Sequence, residues 1–179
     1  MTESHEGDHG VEQGAQRLAA IAETMKDAWA RTIEDMRARA DAYEEQGWAA
    51  ITVAAGDTAP EHPDAGPAGR FGFVHVLPGD TASEIRETVE DGEFSEYDVF
   101  RATTSGRVFL VTELLDPDSR TVICVAGSYE LRTVGPLVAA ADEAGVCYTH
   151  LQTLDGTVVG SFEHEDYEKF VPQVESFRD

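Results

Sequence analysis

One stretch of the chain matches a known chemical spacing: His5-Glu6-Gly7-Asp8-His9 fits H-E-x-x-H. On a helix that spacing puts two imidazoles on one face for a zinc ion, with the glutamate as general base. Here it contains a glycine, lies in a polar stretch without apolar periodicity, and has no evident third ligand or sheltered cavity. The reading is a disordered acidic tail over 1–14 that binds no catalytic zinc. A second group is more interesting. Glu113 falls on an apolar strand face with Phe109, Val111 and Leu115, where a carboxylate must be paired, raised in pKa or near the strand's exposed end. The end-of-strand reading is favoured, with Arg101 on the neighbouring strand as partner. His150 shares a face with Val146, Tyr148 and Gln152. If Glu113 and His150 faced one cleft, they would form an acid–base pair beside Tyr148. His75 alternates with Phe71, Phe73 and Leu77, which marks a core histidine. His62 is expected in solvent, and His164 at the start of a last helix.

Other templates are missing. No G-x-G-x-x-G or phosphate-loop spacing follows a strand, and no G-x-S-x-G elbow is present. The acidic run Glu90, Asp91, Glu93, Glu96 and Asp98 lacks calcium-loop spacing and reads as a solvated face. No catalytic residue, cofactor-binding residue, cofactor or metal ligand is assigned.

The elements that would position these residues are legible in part. Leu18, Ala22, Met25, Trp29, Ile33, Met36, Ala40 and Tyr43 recur at steps of three and four, which predicts a long amphipathic helix over 15–46 closed by Gly47. At 1.5 Å per residue it is about 48 Å long, more than one small sheet covers. Part of it should project or pack on a second copy. Strands are expected at 48–54, 71–77, 97–104, 107–115, 121–126, 146–154 and 157–162. Helices are expected at about 81–90, 131–144 and 164–176. The Pro- and Gly-rich stretch 55–70 reads as a loop. Ser105-Gly106 and Asp155-Gly156 are hairpin turns. Residues 107–115 are apolar on both faces, as in a central covered strand. The fold class is α+β: residues 47–179 form one domain with a mainly antiparallel sheet packed by helices, preceded by the long helix.

Composition limits the partners. Hydrophobic residues make up 41% of the 179, enough for a core and too many for a disordered chain. Thirteen Lys and Arg against 35 Asp and Glu give a formal charge of −22, spread along the chain. Counterion-release binding to phosphates needs clustered cations, and the sequence shows no such run, so nucleic acid and anionic membranes are excluded as partners. Arg far outnumbers Lys and Asn is absent. Self-repulsion of this size is relieved in molar salt, where the Debye length is about 3 Å. That points to a halophile's cytoplasm, as does the lack of a basic and apolar leader or a bilayer-spanning run. Cys124 and Cys147 sit in apolar strands and read as buried thiols.

The stretches YDVFRATTSGRVFLVTELLDP, LVAAADEAGVCYTHLQTLDGT and GSFEHEDYEKFVP resemble an uncharacterised haloarchaeal protein family. That resemblance implies no activity or ligand. From Asp80 onward the element order is also similar to the type III secretion chaperone-like fold, which implies a small, acidic, often dimeric protein that binds polypeptide segments. The expectation is therefore a non-enzymatic protein-binding or adaptor domain. It would form a homodimer through 15–46 and bind an unidentified protein partner. The alternative is a small-molecule-binding or hydrolase domain using Glu113, Tyr148 and His150.

Overall fold

A computed structural model describes residues 6–64 and 71–178, with side chains from His9 onward. Helix α1 runs over Glu6–Glu45. It thus starts well before Ala15, and residues 6–14 are its first turns rather than a tail. Acidic residues suit a helix N-terminus, and the alanine-rich run behind them propagates helix well enough to carry three glycines. The first five residues of the expected tail, His5 included, lie outside the described residues. Gly47, at φ 87°, ends the helix as expected.

Among the described residues eight strands follow, with two further α-helices among them: β1 (Ala49–Ala54), β2 (Asp57–Glu61), β3 (Gly72–Val76), α2 (Gly79–Asp91), β4 (Glu96–Thr104), β5 (Arg107–Asp116), β6 (Thr121–Glu130), α3 (Gly135–Ala144), β7 (Cys147–Gln152) and β8 (Val158–His164). They form two four-stranded sheets, β1-β6-β5-β4 and β2-β3-β7-β8. Pairing is antiparallel except for β1 with β6 and β3 with β7, both parallel. The fold is α+β with a long N-terminal helix, and its strands divide between two stacked sheets.

Two local expectations are corrected. The stretch read as a loop contains β2, in which Pro60 pairs with Phe73. A proline is tolerated there because β2 is an edge strand. The last helix does not form. His164 instead ends β8, with Phe162 and His164 facing in and Ser161 and Glu163 facing out, and short 3-10 turns follow at Tyr167–Phe170 and Val174–Phe177.

The sheets face one another across two apolar clusters. One holds Phe73, Leu110, Tyr129, Cys147 and Phe170 with α3; the other holds Leu77, Ile85, Leu114, Val125, Leu151 and Phe162. Strand β5 lies inside its sheet and is buried on both faces, as its sequence requires. Its far face, with β6, carries Val111, Val122, Cys124 and Ala126 beneath Met36 and Ala40 of α1. Trp29, Ile33 and Tyr43 complete that seam.

Candidate functional site

Helix α1 packs on β1, β6 and β5 and reaches β4 only lightly. The outer face of β4 is therefore left open beside the helix, as a cleft of about 720 Å³. Alternation along β4 and β5 supplies its apolar floor: Phe100 and Ala102 stand opposite Val111 and Phe109. The walls are cationic. Arg31 and Arg39 come from α1, Arg101 from β4 and Lys169 from the 3-10 turn after β8. Two carboxylates, Asp35 and Asp98, also line it.

These cations are held in different ways. Arg39 Nε donates to Asp35 Oδ2 at 2.9 Å, and the guanidinium lies 3.2 Å from the Phe100 ring centroid. Arg101 Nε donates to the Lys169 carbonyl at 2.9 Å. Lys169 Nζ sits 3.5 Å from Asp98 Oδ1. Arg31 is exposed and makes no hydrogen bond or ion pair among the described residues. The chemistry on offer is bidentate anion pairing over an apolar surface.

The structure does not bring the three pocket residues read from sequence together. Glu113 is 2% exposed and lies beneath α1, where the Tyr43 hydroxyl donates to its Oε1 at 2.8 Å. Burial raises its carboxyl above the ordinary range, against the opposing effects of the Tyr43 hydrogen bond and the Arg39 charge. Its cross-strand neighbours are Asp98 and Cys124, whereas Arg101 stands opposite Leu110. Glu113 is therefore not at an exposed end, and its partner is Tyr43, not Arg101. His150 is on the other sheet. Its Nδ1 lies 2.8 Å from Ser161 Oγ and its Nε2 3.3 Å from the Phe71 carbonyl, with the Tyr148 ring stacked at 5.7 Å. Leu114 and Leu151 meet between the sheets. Their chain neighbours Glu113 and His150 must then point outward, away from each other.

His75 is buried in the core as its alternation implies, and it belongs to a polar cluster inside the sandwich that the sequence does not reveal as a group. His75, Thr112, Gly127, Thr149 and His164 each fall midway along a strand or at its inner end, between the two apolar clusters. Thr58 Oγ1 lies 2.9 Å from His75 Nδ1, and Thr149 Oγ1 2.7 Å from His164 Nε2. Gly127 makes room for this layer: a Cβ there would come within 2.5 Å of Thr58 Oγ1 and 2.8 Å of the His75 ring. His75 Nε2, Thr112 Oγ1 and His164 Nδ1 have no hydrogen-bond partner among the described residues. Burial, with nearby imidazoles, depresses His75 to about 4 and His164 to about 3. Both rings are neutral at pH 7 and sealed at 0% exposure, so they meet no substrate. Period-2 alternation carries the signal for His164, but the acidic residues around it mimic a helix surface.

The thiols are free and buried, as expected. Burial pushes both Cys124 and Cys147 up to about 12. His9 is exposed on α1. Among the described residues no group of three His, Cys, Asp or Glu is placed to hold a metal ion, and no helix is long and apolar enough to cross a membrane.

A family model described as a family of unknown function, DUF7529, matches residues 15–172. The chain belongs to that family. No curated protein and no solved structure matches it.

Proposed function

We propose that this is a non-enzymatic protein-binding module of a salt-rich cytoplasm, paired with a second copy of itself through the projecting half of α1. The observation that carries the reading is the exposure of that half. Forty helical residues extend about 60 Å. From His9 to Thr24 every residue except Gly14 is exposed. Along that arm Val11 is 72%, Leu18 70% and Ile21 46% exposed. Val11, Leu18 and Met25 recur every seven residues, in line with the Trp29, Ile33 and Met36 stripe that packs on the sheet. The same apolar face therefore continues past the end of its support. Exposed strips of this kind mark interaction sites.

Charge favours an antiparallel pair, which keeps the bulk of two chains, each of formal charge −22, at opposite ends of the shared arm. Met25 lines an apolar hollow with Leu131 and Phe177, which extends the surface onto the body.

The test is Leu18→Asp, a change at an exposed position. It should abolish the dimer in sedimentation velocity while leaving the melting temperature within about 2 °C of wild type. A variant that still sediments as a dimer would overturn the reading.

A further inference from the structure

We propose that the cleft between α1 and β4 docks an acidic segment of a partner protein, in which two carboxylates flank an apolar side chain. This names the partner for the protein-binding reading above, and it does not depend on the pairing of two chains.

The chain has 13 Lys and Arg against 35 Asp and Glu, yet four of those cations meet in this one cleft, facing two carboxylates. In molar salt only pairing at contact range survives, and this cleft gathers cations for such pairing. The cluster is invisible in the sequence because α1, β4 and the turn after β8 each supply only part of it.

Geometry narrows the ligand. The Arg39 fork is fixed by Asp35 and stacked on Phe100, so little freedom is lost when it pairs with an anion. Arg31, one wall further along, has no counter-ion among the described residues. The eight residues from Arg31 to Arg39 span about 12 Å of helix. In an extended chain, side chains four residues apart lie about 13 Å apart on one side, and the residue midway points the same way. Carboxylates at that spacing reach both arginines, and the central side chain then falls on the apolar lining beside the Arg39–Phe100 stack. The cleft is a surface depression rather than an enclosed cavity, which suits a peptide segment better than an engulfed small molecule.

The experiment uses the full chain in salt at which circular dichroism shows it folded. The probe is a fluorescein-labelled peptide with two glutamates four residues apart around a central leucine; its counterpart carries glutamines. The glutamate peptide should bind saturably with a Kd of about 1 mM or tighter, and the glutamine peptide should not. Arg31→Glu should weaken binding about tenfold or more, whereas Arg86→Glu, exposed on α2, should change it less than about twofold. Arg101→Glu is the second cleft variant and should behave as Arg31→Glu does. Leu18→Asp should leave peptide binding unchanged, so failure of this proposal and failure of chain pairing are read separately. Equal binding of both peptides, equal losses in Arg31→Glu and Arg86→Glu, or no binding at about 1 mM would overturn it. So would a cleft that takes inorganic phosphate or a nucleic acid oligomer in preference to the peptide.

Discussion

Tyr43 and Glu113 join the last turn of α1 to the interior strand β5: the phenol donates to a carboxylate that is 2% exposed. Tyr43→Phe removes the donor and leaves a buried acceptor without it, at a cost of about 1–3 kcal/mol in denaturant unfolding. Glu113→Gln keeps an acceptor in place and should cost less. The pH dependence has a definite sign. Burial raises the carboxyl of the folded protein above its unfolded value, so the folded state holds this proton more tightly. The contribution of Glu113 to stability is fullest below the ordinary carboxylate range and falls as pH rises. Relative to wild type, Glu113→Gln should therefore gain stability between acid and neutral pH. A difference that is flat across that interval would contradict the assignment.

His75 and His164 act in the opposite sense. Their folded values, about 4 and about 3, lie below the ordinary 6.5, so the unfolded chain takes up protons first. Their contribution is complete above pH 6.5 and is lost as pH falls toward those values, by about 1.4 kcal/mol per pH unit for each ring. Carboxylates titrate in the same window, so the difference between wild type and His75→Gln isolates the effect. Wild type should lose ground to the variant from pH 6.5 to 4.5 in chemical denaturation. Parallel curves would show that His75 is not held neutral.

How much of this was legible follows from the range of each signal. The α1 stripe, the Gly47 stop, the Ser105-Gly106 turn and the double-sided burial of β5 are local patterns, and they hold in the structure. Strand β2 was hidden because Pro60 is a strand breaker everywhere except at an edge. The division into two sheets rests on the parallel pairs β1–β6 and β3–β7, which join residues far apart in the chain. The candidate site was hidden for the same reason. Arg31 and Arg39 share a helix face, but Arg101 and Lys169 join them only through the fold.

Salt should stabilise the chain. A formal charge of −22 spread over the surface opposes compaction, and screening removes most of that term. The melting temperature should rise as KCl increases from about 0.1 M to 2 M. A flat or falling profile would contradict the halophilic reading.

The most direct test of the central claim is the mass of the wild-type chain in solution, by light scattering at about 50 μM in about 2 M KCl. That concentration populates a dimer of micromolar affinity. Pairing through Val11, Leu18 and Ile21 predicts twice the chain mass of 19.4 kDa, reduced to a single chain when residues 1–24 are removed. A wild-type mass of 19.4 kDa would contradict the account and leave the arm of α1 without a partner of its own kind.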